Sequence, residues 1–496
     1  MNPLAKLDHQ FIWHPFTQMR GWLKREPTVI VAGKGAVLRD VRGREYLDAN
    51  ASIWTNLHGH NHPAINAAIR RQLGKIAHSS ALGLANEPAS LLARELIEAA
   101  NASFGEASSA SPQSKQMSGA RETRPSAVRL EKVFFSDDGS TALEVAVKLA
   151  HEFARRTGRS AKPKFLSLTG AYHGDTVGAV SLGHIDLFHQ RYAGLLFRTD
   201  RVMAPYCYRC PFNRARPERA DARDYHRCRW ECVGLVERKL AGRKRKGNSY
   251  AGFVFEPLMQ GAAGMIPQPA GWLRQVTDLA RGHGALLVAD EVMTGFGRTG
   301  TVNSESRTLN PEGLFACQHE GVQPDFLCLA KGLTGGYLPM AATLTTRSVF
   351  DAFLGEYDEF KTFFHGHSYT ANQLGAAAGQ ASLKLLQNRS SRHARQILEK
   401  TLHEELQTLW SLPRVGDLRR VGLMAGIELV RNWRTREPYE LRERAGIRVC
   451  EAMARRGVLT RPIGNVIVLM PPYCTTPRQL AEIVGVLKQS IRAALA

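Results

Sequence analysis

A mainly parallel β-sheet covered by helices on both faces is the α/β fold this sequence predicts, and two patterns predict it. Short apolar runs recur through the middle of the chain, at residues 132–135, 164–167, 252–255, 285–289 and 326–330. Each has the length of a buried strand, and stretches of helical periodicity separate them. Strands alternating with helices indicate a parallel sheet, because each parallel return needs a crossover.

The remaining elements follow in order. Residues 29–31 and 36–38 read as strands around Gly33 and Gly35. Residues 63–76 read as an amphipathic helix with Pro63 in its first turn, where a missing N–H is harmless. Residues 89–100 read as another. From about 102 to 126 the composition turns polar and cannot bury a core, so this stretch is expected to be an insertion. A shorter one is expected at 303–313. The helix at 142–155 carries an apolar stripe of Ala142, Val145, Ala146, Leu149 and Phe153. The tail from about 375 to 496 reads as mostly helical, with strands at 422–430 and 466–469.

Bulk properties narrow the class. The chain has 496 residues and is 44% hydrophobic, enough for a large core and two domains. No apolar run is long enough to span a bilayer. The first eight residues lack the apolar stretch of a signal peptide, so a cytoplasmic protein with no membrane partner is expected. The net charge is +21 and the sequence pI is about 9.9. Its basic residues are scattered, and the one dense run, Arg243-Lys244-Arg245-Lys246, reads as a solvated loop. No zinc finger, aromatic RNA-binding signature or basic heptad region supports a nucleic-acid partner. That role would rest on net charge alone.

Eight cysteines are present. Cys317, Cys328, Cys450 and Cys474 are isolated and read as ordinary thiols. Cys207, Cys210, Cys228 and Cys232 form two pairs that could hold a structural zinc ion. The second pair is loosely spaced in an Arg-rich stretch, and no metal ligand is assigned. The histidine strings at 58–62 and 365–367 lie on no helix at ligand spacing and bring no cysteines or carboxylates with them.

Two strand ends carry the chemistry. The run at 285–289 ends in Asp290, and the run at 326–330 ends in Lys331. Ligands of open α/β sheets bind outside such strand ends. A lysine and an aspartate delivered there suit pyridoxal phosphate: the amine condenses with the aldehyde, and the carboxylate keeps the ring nitrogen protonated. Taken singly, the two residues also read as a surface lysine and a helix-capping aspartate.

Other strings add to the pair. Gly139, Ser140 and Thr141 open the helix after the strand at 132–135, where free N–H groups attract phosphate; an ordinary N-cap uses the same residues. Tyr172, after the strand at 164–167, can stack on a planar cofactor or belong to the core. Arg298, in the glycine-rich stretch 295–300, can meet a substrate carboxylate or stand as a surface charge. Arg461, followed by Pro462, suits a carboxylate clamp.

Together, Asp290-Glu291-Val292-x-Thr294-Gly295-Phe296-Gly297-Arg298-Thr299-Gly300 and Lys331-Gly332-Leu333-Thr334-Gly335-Gly336 resemble the class III (ω-)aminotransferases of the fold-type I pyridoxal-phosphate superfamily. The resemblance spans nearly the whole chain apart from the polar insertions. Four further strings are Ile12-Trp13-His14-Pro15-Phe16-Thr17-Gln18-Met19, Trp54 with His58-Gly59-His60-Asn61-His62-Pro63, Thr343-Leu344-Thr345-Thr346 and Met470-Pro471-Pro472-Tyr473. They are similar to the branch that aminates 8-amino-7-oxononanoate on the way to biotin.

The resemblance implies a large domain at residues 86–370 and a smaller α/β domain from residues 1–85 and 371–496. It implies that Lys331 carries the cofactor and shuttles the proton, that Asp290 pairs with the ring nitrogen, and that Tyr172 lies against the ring. Gly139 and Ser140 would bind phosphate, and His367 and Ser368 would reach the phosphate of the neighbouring subunit in a homodimer. Gly366 and Arg461 would meet the keto-acid substrate. Phe16, Ile53 and Trp54 would shape the donor pocket. Members that use S-adenosylmethionine often have Tyr at the first of these positions and a second Trp at Ile53. This chain departs from both, with Phe16 and Ile53; S-adenosylmethionine, typical of the family, is the expected donor, and the departures keep lysine as the alternative.

Overall fold

The computed structural model of the chain describes residues 1–102, 128–300 and 313–496. The expected insertions at 102–126 and 303–313 fall outside the described residues, apart from Ala102 and Gly313. The strands are β1 (Ile30–Lys34), β2 (Val37–Asp40), β3 (Glu45–Asp48), β4 (Leu130–Ser136), β5 (Phe165–Leu168), β6 (Asp200–Val202), β7 (Gly252–Phe255), β8 (Met259–Gln260) and β9 (Ile266–Pro267). They continue as β10 (Leu286–Asp290), β11 (Phe326–Leu329), β12 (Ala341–Thr346), β13 (Val415–Val421), β14 (Met424–Asn432), β15 (Glu437–Pro438), β16 (Val458–Leu459), β17 (Pro462–Ile463) and β18 (Val466–Leu469).

Seven strands form the central sheet in the order β4-β12-β11-β10-β7-β5-β6. Only β12 runs against its neighbours, pairing antiparallel with β11 and β4; the other pairs are parallel. Every residue of β5, β7, β10 and β11 is buried, as expected of strands covered on both faces. The helix Gly139–Arg156 buries Ala142, Val145, Ala146, Leu149 and Phe153, packing its apolar stripe with Phe165, Val288 and Phe326 of the sheet. The parallel arrangement puts the C-terminal ends of β4, β5, β7, β10 and β11 along one edge.

The two ends of the chain meet. β3 pairs in parallel with β16, Asp48 lying beside Leu459. β13, β14, β18 and β17 form a second antiparallel sheet in the C-terminal segment.

Several sequence expectations differ from the structure. The strand expected at 422–430 starts too early: Gly422 (φ +55°) turns the β13–β14 hairpin. A Cβ there would meet the backbone of Thr299 and Gly300 at 2.2 Å. The basic run at 243–246 is not a loop throughout, since Arg243 and Lys244 end the helix Glu231–Lys244, where cations complement the helix dipole. β3, β6, β12 and β13 have no counterpart in the sequence reading. β12 is rich in threonine, and Thr343 Oγ1 donates to the Ala142 carbonyl at 2.8 Å. β13 carries Asp417 and Arg419, which look solvent-facing until their partners are known.

Those partners form a buried charge network. Arg419 donates to Glu428 (2.5 Å) and to the Tyr206 hydroxyl. The Tyr206 hydroxyl donates to Glu428 at 2.6 Å, and Arg209 adds a 2.7 Å bond to the same carboxylate. Glu428 and Arg419 are both almost fully buried. The network ties the largely irregular segment 203–230 to the β13–β14 hairpin. Among the described residues, no helix is long and apolar enough to cross a membrane. Replacing Glu428 with Ala removes the carboxylate that Arg419 and Arg209 share, and a loss of about 3–5 kcal/mol is expected, read as a fall in the urea midpoint.

Candidate active site

A cavity of about 540 Å³ opens at the C-terminal edge of the central sheet. Each strand end contributes to it. Asp137 to Ser140 follow β4, Tyr172 and His173 follow β5, Glu256 follows β7, Asp290 ends β10, and Lys331 follows β11. This is where a doubly covered parallel sheet offers a crevice. Six residues singled out in the sequence, Lys331, Asp290, Tyr172, Gly139, Ser140 and Trp54, line this one cavity.

Lys331 adopts φ +44°, an unusual backbone for a side chain of this size. Its Nζ lies 5.0 Å from the centre of the Trp54 ring, within cation–π range. Burial pulls the amine below the usual lysine range, opposed by the carboxylates of Asp290 and Glu256. A larger share of such an amine is neutral, and so available as nucleophile and base, than of a solvated lysine.

The Asp290 carboxylate is held from two sides. Oδ2 lies 2.7 Å from His173 Nδ1, and Oδ1 accepts from the Val292 N–H at 3.1 Å. An imidazole nitrogen facing a carboxylate carries its hydrogen there, so His173 fixes the direction of Asp290. His173, next to Tyr172 in sequence, has no role in the sequence reading. The Glu256 carboxylate was not singled out. It accepts from the N–H groups of Tyr172 (3.3 Å) and Gly261 (2.8 Å), and burial pushes it up to about 7. The Glu-Pro pair after a buried strand was its only sequence signal.

The helix Gly139–Arg156 points its first turn at the cavity. Asp138 caps it, accepting from Thr141 N–H at 2.9 Å, so the N-cap reading and the anion reading coexist here. Gly139 and Ser140 belong to the first turn, whose N–H groups have no intrahelical acceptor. A Cβ on Gly139 would meet Val292 at 2.7 Å, so only glycine fits the space. The Tyr172 hydroxyl donates to Asp175 at 2.5 Å, and its ring stacks on His189 at 6.2 Å and 11°.

The wall facing Lys331 is a left-handed turn. Ala51, Ser52, Ile53 and Trp54 have φ values of +44°, +47°, +61° and +68°, a conformation that costs roughly 1–2 kcal/mol per residue. Trp54 N–H donates to the Asn50 carbonyl at 2.9 Å, and the indole N–H donates to Asn50 Oδ1 at 2.8 Å.

The other predicted residues lie elsewhere. Arg298 is buried rather than in the cavity. It donates to the carbonyls of Pro471 (2.7 Å) and Asn56 (3.2 Å) and lies over the Tyr473 ring at 4.9 Å. It therefore ties the N-terminal and C-terminal segments together, with no nitrogen presented to a substrate in that cavity. Arg461 is exposed beside β17 and does not line the cavity. Phe16 packs edge-on against Phe188 at 5.3 Å, and Phe188 against Tyr172 at 6.3 Å. Ile53 is 41% exposed. His367 Nδ1 lies 2.9 Å from Asp137 Oδ2 at the cavity rim. The Ser368 carbonyl accepts from His78, and Gly366 has open space beside it. Burial, and then the neighbouring thiols, push Cys207 up to about 12 and Cys232 to about 11. Among the described residues, no group of three or more His, Cys, Asp or Glu side chains is arranged to hold a metal ion.

Comparison with known proteins follows the same outline. Residues 22–491 match the family model "Aminotransferase class-III". The chain is 45% identical over 488 residues to an adenosylmethionine-8-amino-7-oxononanoate aminotransferase of Geobacter sulfurreducens, covering 98% of this chain and 97% of that protein. The crystal structure of the Methanocaldococcus jannaschii protein of that name superposes with a TM-score of 0.83 at 36% identity, covering 99% of both chains. An amine transaminase from an uncultivated Pseudomonas species, solved in its PLP-bound internal aldimine form, superposes with a TM-score of 0.82 at 29% identity, covering 98% of this chain and 99% of that one. The chain belongs to the class III aminotransferases.

Proposed function

We propose that this enzyme converts 8-amino-7-oxononanoate to 7,8-diaminononanoate in biotin synthesis, with pyridoxal phosphate as cofactor and S-adenosylmethionine as amino donor. One observation carries the cofactor reading: a buried lysine amine and a histidine-anchored aspartate share a cavity with a glycine-opened helix N-terminus. The donor set suits that group, since it offers an amine for an aldehyde, a carboxylate for a ring nitrogen and free N–H groups for a phosphate. The printed names of the relatives support the substrate and the donor.

Pyridoxal phosphate, when bound, supplies an aldehyde for amine exchange and a protonated ring that draws electron density from the reacting carbon. The chain's residues do the rest. Lys331 would hold the cofactor and, once displaced by the donor amine, take and return the proton at the donor's Cα. Asp290, kept in line by His173, would hold a proton on the ring nitrogen. Gly139 and Ser140 would bind the phosphate, and Tyr172 would cover one face of the ring. Phe16, Ile53 and Trp54 remain the proposed donor wall, and Gly366 and Arg461 the proposed contacts of the keto-acid. The donor product leaves before the acceptor enters, so ping-pong kinetics follow.

The reading includes a homodimer in which His367 and Ser368 serve the neighbouring site. Large exposed side chains support a covered face: Leu82 is 91% exposed, Tyr357 97% and Phe364 69%.

Three outcomes test this. Lys331→Ala is expected to abolish turnover while the thermal melt stays near wild type, and Asp290→Asn to lower kcat by at least about 100-fold; normal turnover by Lys331→Ala removes the assignment. With 8-amino-7-oxononanoate as acceptor, S-adenosylmethionine is expected to yield the diamine by mass spectrometry; product from lysine alone would transfer the donor role to lysine, and none from either would remove the substrate. Sedimentation at 10 µM protein is expected to give twice the 54.9 kDa chain mass; a 54.9 kDa species with full activity would exclude a shared site.

A further inference from the structure

Four consecutive non-glycine residues in the left-handed region are rarely tolerated, because each Cβ crowds the following carbonyl. Such a segment persists only where its surroundings over-determine it, and it then marks a site where position matters. Here one buried carboxylate anchors the start of the turn. Asp48, the last residue of β3 and 3% exposed, faces the turn. Its Oδ1 accepts from the N–H groups of Asn50 (3.2 Å) and Ser52 (3.1 Å), and its Oδ2 accepts from the Ser52 hydroxyl (2.9 Å).

A fourth bond orients the carboxylate. His60 Nε2 lies 3.0 Å from Asp48 Oδ2. Asn56 Nδ2 donates to His60 Nδ1 at 2.9 Å, which leaves the ring hydrogen on Nε2, pointing at Asp48. Asp48 is fixed from below as well, since its own N–H donates to the Ala36 carbonyl at 2.8 Å.

What the turn delivers is Trp54. Its indole packs against the methionine cluster of Met259, Met265 and Met293 and lies over the Lys331 amine. A right-handed or extended backbone at 51–54 would aim the indole elsewhere, since reversing φ moves each Cβ to a different side of the chain. We propose that Asp48 is a positioning residue for the reaction, holding Ala51–Trp54 left-handed and so keeping the Trp54 indole over the Lys331 amine. Asp48 touches neither the amine nor the cavity, and its effect passes through Trp54.

The proposal rests on Lys331 being the reactive amine, and its test separates the two. The full-length chain, stripped of cofactor, is treated with formaldehyde and cyanoborohydride, and labelling of Lys331 is followed by peptide mass spectrometry. The same variants are then loaded with pyridoxal phosphate for kinetics. Asp48→Ala and Trp54→Ala are each expected to label Lys331 several-fold faster and to lower kcat/KM by about 10- to 100-fold. In the Trp54→Ala background, adding Asp48→Ala is expected to change neither quantity further. Should Asp48→Ala not fold, Asp48→Asn, which keeps one acceptor oxygen for the backbone, must show the same non-additivity with Trp54→Ala. Unchanged labelling in a folded Asp48 variant, or losses that multiply independently in the double variant, would overturn the proposal. Coupled labelling without turnover of 8-amino-7-oxononanoate would leave the positioning role standing and remove only the substrate.

Discussion

A lysine amine buried at the end of a parallel strand is the constraint around which this molecule is organised. An isolated ammonium group is very costly to desolvate, so a buried lysine either neutralises or finds complementary charge. Lys331 does some of each: burial pulls its affinity for the proton down, while Asp290 and Glu256 oppose that pull. Neither carboxylate is left to move freely. Asp290 is held by His173 and the Val292 N–H, and Glu256 by the backbone of Tyr172 and Gly261. The result is a set of ionisable groups whose directions are set before any ligand arrives. That is the arrangement electrostatic catalysis requires, because dipoles already in place need no reorganisation during reaction.

The sheet supplies three sides of this arrangement, and the chain termini supply the fourth. Because β5, β7, β10 and β11 are parallel neighbours, their following residues fall within reach of one another without long loops. The N-terminal segment then brings Trp54 over the amine. It is secured by the pairing of β3 with β16 and by Arg298, which binds carbonyls of Asn56 and Pro471 at once. Burying Arg298 is costly, and two backbone acceptors and the Tyr473 ring offset the loss of water. Its placement joins residues from the two ends of the chain beside the cavity, which gives a buried arginine a structural use in a motif that also looks suited to binding a carboxylate.

Much of the site was legible along the chain because strand ends are legible. An apolar run followed by one ionisable residue marks both a buried strand and the side chain delivered at its end, and Asp290 and Lys331 were each read that way. Gly139, Ser140, Tyr172 and Trp54 line the same cavity as that pair. His173 and Glu256 escaped because a hydrogen-bond partner has no local signature: each acts on a residue from another strand. β13 escaped because Asp417 and Arg419 look solvent-facing until the buried Glu428 that Arg419 meets is known. Arg298 was misdirected for the same reason, since an arginine in a glycine-rich stretch reads alike whether it meets a ligand or a carbonyl.

The sequence by itself determined the alternation of buried strands and helices, and with it which side chains stand at the strand ends, because periodicity and chain length act locally. Only the tertiary structure decided which of those side chains meet. The partners of Lys331, Asp290 and Arg298 lie tens to hundreds of residues away, and burial settles whether each charge finds a complement. The left-handed turn at 51–54 belongs to the second category: no residue in it prefers that backbone, and the bonds to Asp48, its local anchor, count only once packing has excluded the water that would compete for them.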